Sequence, residues 1–106
     1  MDIEITRQGE THRVVVCGDA TIYGVREAFE AFRKALAESR RVEVDLSGVD
    51  EIDSAFCQLL VAVWRQGKED GIPVEVARSG PVAGEVMGAL HLDFLSPKGF
   101  VSKGEC

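Results

Sequence analysis

Residues 42–60 read V-E-V-D-L-S-G-V-D-E-I-D-S-A-F-C-Q-L-L, and they constrain the fold of this chain more than any other segment. Val42, Val44 and Leu46 alternate with Glu43 and Asp45, the period-two pattern of a strand with one buried face. Ser47-Gly48 breaks that pattern, a short acidic loop follows, and an apolar helical run opens beside Ser54. Strand, tight acidic connection and helix in this order form an α/β unit. They place the Ser54 hydroxyl where it can cap a helix and where a phosphate is readily accommodated.

The other segments supply the partners such a unit needs. Ile3-Glu4-Ile5 alternates like an edge strand, and Gln8-Gly9-Glu10 has turn chemistry. Val14-Val15-Val16-Cys17 is apolar on both faces, which predicts a hairpin whose second strand is central and covered on two sides. Val25, Ala28, Phe29, Phe32 and Leu36 recur at helical spacing, with Glu27, Glu30, Arg33, Lys34 and Glu38 on the outer face. A second helix is predicted over about 55–69, capped by Asp53 or Ser54 and ended before Gly71. Residues 74–77 read as a strand. Ser79-Gly80-Pro81 then opens a third helix, with Val82, Val86, Met87 and Leu90 facing inward.

The order β-β-α-β-α-β-α predicts a single small α/β domain over residues 1–106. Its mixed sheet of about four strands carries an N-terminal hairpin, parallel strands joined by right-handed crossovers, and helices packed upon it. Residues 95–106 form a C-terminal tail that packs at Phe94 and Leu95 before fraying. With 106 residues, 45% of them apolar, the chain can close one core and has no room for a second domain.

A net charge of −6 argues against nucleic acid or an anionic lipid surface as partner, since both demand clustered Lys and Arg. Arg40-Arg41 suits the end of a helix. No apolar run reaches signal-peptide or membrane-spanning length, so no direct membrane insertion and a cytoplasmic location are expected. Cys17, Cys57 and Cys106 are odd in number and lack metal-ligand spacing, which favours free thiols over a disulfide framework or a zinc site. Asp45, Asp50, Glu51 and Asp53 lack the calcium-loop pattern, and Gly18 and Gly48 are single turn glycines. His12 and His91 have no serine or cysteine at motif spacing. No metal, no cofactor and no catalytic residue are expected, so the chain reads as a non-enzyme.

The motif D-L-S-G-V-x-x-I-D-S at 45–54, followed by an apolar helix, resembles the signature of the STAS domain, the fold of anti-sigma-factor antagonists. Gly18-Asp19-Ala20-Thr21-Ile22-Tyr23 and Gly71-Ile72-Pro73-Val74-Glu75-Val76 sit where that family has its first strand-to-helix passage and its next strand. The resemblance implies that Ser54 is a phosphoacceptor and that the chain is a switch. Its implied partner is an ATPase-type serine kinase that also acts as an anti-sigma factor, or a related signalling kinase. Sporulation-type antagonists carry D-S-S-G or D-S-T-G, whereas Asp53-Ser54-Ala55-Phe56 lacks the second hydroxyl and the glycine. The lone hydroxyl is similar to that of stressosome-type STAS proteins and of short chemotaxis-associated ones. It is also similar to the D-T-A-G of the STAS subunit of bacterial phospholipid-transport ABC systems, which implies a constitutive subunit whose partner is a transporter component.

Helix two adds a reading of its own. Between Ala55 and Trp64 only Gln58 is polar, so Cys57, Val61 and Trp64 form a second apolar stripe beside that of Phe56, Leu59, Leu60 and Val63. One sheet face cannot cover both. Either helix one or helix three covers the excess, or it forms a partner or homodimer surface beside Ser54. The partner surface is expected to comprise Asp50, Asp53, Ser54, Cys57, Gln58, Val61 and Trp64, with Val61 and Trp64 more exposed than their apolar character warrants. Cys57 lies in the first helical turn, where a thiol pKa can fall, though Asp50, Glu51 and Asp53 oppose a thiolate.

Overall fold

A computed structural model describes residues 1–96. Strand β1 (Asp2–Gln8) and strand β2 (Thr11–Ala20) form the expected hairpin, and a 3-10 turn at Ile22–Gly24 leads into helix α1 (Val25–Glu38). Strand β3 (Arg41–Ile52), helix α2 (Ser54–Asp70), strand β4 (Val74–Arg78), helix α3 (Gly80–Ala89) and a second 3-10 turn at Asp93–Leu95 follow. The four strands lie in the order β1-β2-β3-β4, with β1 antiparallel to β2 and the other neighbours parallel. This is the predicted mixed sheet.

Val14, Val16, Val42, Val44, Leu46 and Val76 give the sheet a buried face, and Ala28, Phe32, Phe56, Leu60, Ala83 and Met87 from the three helices join them in one core. The opposite face is polar. Arg13 meets Glu43 at 3.1 Å, and Arg41 bridges Glu43 and Glu75, a ladder of opposite charges across β2, β3 and β4. Strand β2 is therefore covered on one side, not two: Val14 and Val16 are buried, while Thr11, Arg13, Val15 and Cys17 are half-buried. The apolar run gave a false double-sided signal because Val15 and Cys17 face the polar side.

Ser47-Gly48 does not end β3. The strand continues to Ile52 because β2 is long enough to keep pairing with it, through register shifts between Val15 and Cys17 and between Gly18 and Asp19. Asp45, fully buried, steadies this stretch by accepting the Ser47 N–H at 2.9 Å and the Ser47 hydroxyl. In α1 the buried positions are Ala28, Phe32 and Ala35, and Phe29 points outward. In α3 they are Ala83 and Met87, with Val82 and Val86 half-buried and Leu90 exposed beyond the helix. Leu95 is buried as expected and Phe94 is partly exposed; the tail beyond Ser96 lies outside the described residues. Cys57 is a buried free thiol, whereas Cys17 is disulfide-bonded, against the expectation of free thiols; Cys106 lies outside the described residues.

Candidate functional site

The end of β3 and the start of α2 are joined by Asp53, whose extended backbone (φ −111°, ψ 175°) is that of an N-cap. Its Oδ1 accepts the Phe56 N–H at 2.9 Å, and its Oδ2 accepts the Ile22 N–H at 2.9 Å. Its own N–H donates to the Ala20 carbonyl at 3.2 Å. Asp53, rather than Ser54, is thus the cap. Ser54 becomes the first helical residue, exposed, with its hydroxyl not engaged in capping.

From Ser54 a groove of about 420 Å³ runs along α2, lined by Cys57, Gln58, Val61, Ala62 and Arg65 on one side and by Leu90 and Leu92 on the other. The α2 residues recur at three- and four-residue spacing and so share a face. The far wall depends on how α3 ends. His91 adopts a left-handed conformation (φ 58°), and the Leu92 N–H returns to the Met87 carbonyl at 2.9 Å, which brings Leu90 and Leu92 alongside α2. No glycine marks this reversal, so it carried no sequence signal.

Of the seven proposed contact residues, Ser54, Cys57, Gln58 and Val61 converge on this groove. Asp53 lies at its head as a clamp, and Asp50 is exposed near the end of β3. Trp64 lines a different groove with Lys68, Pro73 and Phe94. Its ring meets that of Phe94 edge-on at 4.8 Å between centroids, and the Lys68 ammonium sits 4.6 Å from its centroid. Val61 and Trp64 are half-buried against the core, and Trp64 is covered in part by the Phe94 ring from the chain after α3. Trp64→Ala is accordingly expected to lower the unfolding free energy by about 2 kcal/mol. Urea titration checks this, and an unchanged midpoint would leave Trp64 as a surface residue.

Apolar residues outside the proposed contact set lie near Asp53, which holds the Ile22 N–H. Ile22 and Tyr23 are 62% and 96% exposed, and Phe29 is 48% exposed. Ile22, Val25, Phe29 and Leu59 line a shallow cleft there. The available signal was two adjacent large apolar side chains, Ile22 and Tyr23, in a strand-to-helix passage with no amphipathic period. Arg26 and Glu30 complete the lining of the cleft, and Asp19 and Glu51 are register partners on β2 and β3.

The Cys57 thiol is pushed above its usual pKa by burial first and by the Asp53 charge second, so it stays protonated at neutral pH and is a poor nucleophile. Among the described residues no group of three or more His, Cys, Asp or Glu is placed to hold a metal ion, and no helix is long and apolar enough to cross a membrane.

A family model described as "Mlab, STAS domain" matches residues 3–97. An anti-sigma-factor antagonist (STAS) domain protein from Planctomyces limnophilus is 24% identical, with 97% of this chain and 92% of that one covered, at a TM-score of 0.78. The Bacillus anti-sigma factor antagonist SpoIIAA in its unphosphorylated form is 13% identical, with 90% and 85% covered at a TM-score of 0.73; its phosphorylated form gives 0.67. Mglu is 26% identical over 69% of this chain, at a TM-score of 0.63, and the chain spans 18% of its length. No curated protein sequence matches this chain.

Proposed function

Because the chain belongs to the STAS domain family, we propose that it is a non-enzymatic protein-interaction switch of the cytoplasm, resembling an anti-sigma-factor antagonist and controlled by phosphate on Ser54. The observation that carries this reading is the position of Ser54. It is an exposed hydroxyl on the first residue of α2, released from capping by Asp53, at the head of an apolar groove. A protein partner, a regulatory or signalling kinase of ATPase type, would cover Gln58, Val61 and Leu90, above the buried Cys57. Phosphate on Ser54 would then place close to two negative charges in a contact that burial makes unforgiving. The helix N-terminus tolerates that charge within the free chain, so the effect falls on binding more than on folding. SpoIIAA, of the same fold, is a protein with a phosphorylated form, which supports the analogy.

The test is affinity capture from the native cell with the chain and two variants, followed by identification and titration of the captured protein. Ser54→Ala should retain the partner, and Ser54→Asp should bind it about thirtyfold more weakly, equivalent to roughly 2 kcal/mol. Equal binding by both variants would overturn the switch.

A second reading, a constitutive subunit of a larger complex such as a lipid-transport ABC system, is favoured by the description of the matching family model as Mlab. On that reading a transporter component is captured, and Ser54→Asp and Ser54→Ala weaken it equally little.

A further inference from the structure

Asp53 touches the starts of two helices with one carboxylate. Its Oδ1 serves Phe56 within α2, and its Oδ2 serves Ile22, 31 residues earlier and the first residue of the 3-10 turn that feeds α1. A carboxylate has acceptor capacity for both N–H groups, and bonds to a charged acceptor are the stronger class. Besides this bond, the Val25 N–H donates to the Ile22 carbonyl and the Met1 side chain packs against Gly24. Thr21 makes no side-chain cap bond, the Gly24 N–H returns to the Thr21 carbonyl at 2.9 Å, and Ile22 and Tyr23 are largely exposed. Few buried contacts and an exposed backbone bond mark a segment of low local stability.

We propose that Asp53 is a positioning residue that couples Ser54 to the Ile22–Gly24 turn, so that phosphate on Ser54 loosens this turn and withdraws Ile22 and Tyr23 from the surface presented beside α2. This rests on the reading of Ser54 as a phosphoacceptor and adds the route by which modification spreads. Phosphoserine brings about 1.5 to 2 negative charges and three acceptor oxygens to the residue next to Asp53. At the N-terminus of α2 those oxygens crowd the Asp53 carboxylate, whose Oδ1 already serves the Phe56 N–H. The added charge also repels the Asp53 carboxylate. Asp53 cannot move away from the phosphate and keep both of its bonds. The bond to Ile22 yields because it is exposed, whereas Phe56 is held by the core.

The experiment is backbone NMR on four forms of the full chain: unmodified, carrying phosphoserine at position 54, Asp53→Asn, and Ser54→Ala. Asparagine remains a good N-cap but puts an NH2 donor where one of the two carboxylate oxygens stood, so the N–H of either Phe56 or Ile22 then faces a donor. Order parameters of Ile22 and Tyr23 are expected to fall from the rigid range near 0.85 to about 0.6 or below in the phosphoserine and Asp53→Asn forms, and to stay unchanged in Ser54→Ala. Ile22 and Tyr23 remaining rigid in the phosphoserine form overturns the coupling. Should Asp53→Asn fail to fold, by circular dichroism, the phosphoserine form decides alone. Loss of partner binding with a rigid turn leaves the switch standing and removes the coupling. A loosened turn with partner binding intact does the reverse.

Discussion

Replacing Gly80 by alanine is expected to destabilise the fold by about 3 kcal/mol or more, moving the urea midpoint down by about 1 M or more. Gly80 opens α3 at φ +73°, and a Cβ there would lie 2.7 Å from the Ser47 Cα and 2.9 Å from the Ser47 carbonyl oxygen. Both are backbone atoms of β3 and cannot swing aside. The left-handed conformation alone costs an L-residue about 1 to 2 kcal/mol. Relieving the clash would pull α3 off the sheet, where Ala83 and Met87 are fully buried. Gly71→Ala separates the two costs, since Gly71 has φ +72° and open space around its missing Cβ. If Gly80→Ala costs no more than Gly71→Ala, the close approach of α3 to β3 is not real.

Phe56→Ala is expected to cost about 3 to 5 kcal/mol, the range for truncating a buried aromatic ring. Phe56 is fully buried beneath the first turn of α2, and its N–H is the one Asp53 caps. Against a total stability of roughly 5 to 15 kcal/mol for a domain of this kind, such a loss brings the variant close to unfolding. At about 4 to 8 °C per kcal/mol, the thermal midpoint should fall by at least about 12 °C. Calorimetry of parent and variant settles it, and a drop of a few degrees would take Phe56 out of the core. Because the same residue seats the helix on which Ser54 rides, any folded remainder should also present the groove poorly.

The element order and the position of α2 could be read from residues 42–71 because their signals are local. Val42, Val44 and Leu46 alternate, Asp53 precedes an apolar helix, and Gly71 closes it with a left-handed cap. What escaped was decided by contacts distant in sequence. The extension of β3 through Ser47-Gly48 depends on β2, about thirty residues earlier, which out-competes local turn chemistry. Trp64 looked unpartnered because its cover, Phe94, comes from a 3-10 turn with no periodic pattern. The groove wall at Leu90 and Leu92 turns on His91, a non-glycine residue at positive φ that composition does not announce. The outward orientation of Phe29 shows a further limit: helical spacing marks a face, but the width of the buried part is set by what packs against it.

The bond between Ile22 and Asp53 has a consequence for how Ser54 can be recognised. A synthetic peptide of residues 50–66 contains every α2 residue of the groove, yet it lacks Ile22, which Asp53 holds, and Leu90 and Leu92, which form the far wall. Short isolated helices are marginal in water, so the peptide would not keep even the α2 face. The surface around Ser54 is therefore a conformational epitope assembled from three separate stretches of chain. A protein that reads this surface as a whole reads, in the same act, whether β2, β3 and α3 have docked, and an unfolded or half-made copy stays silent to it.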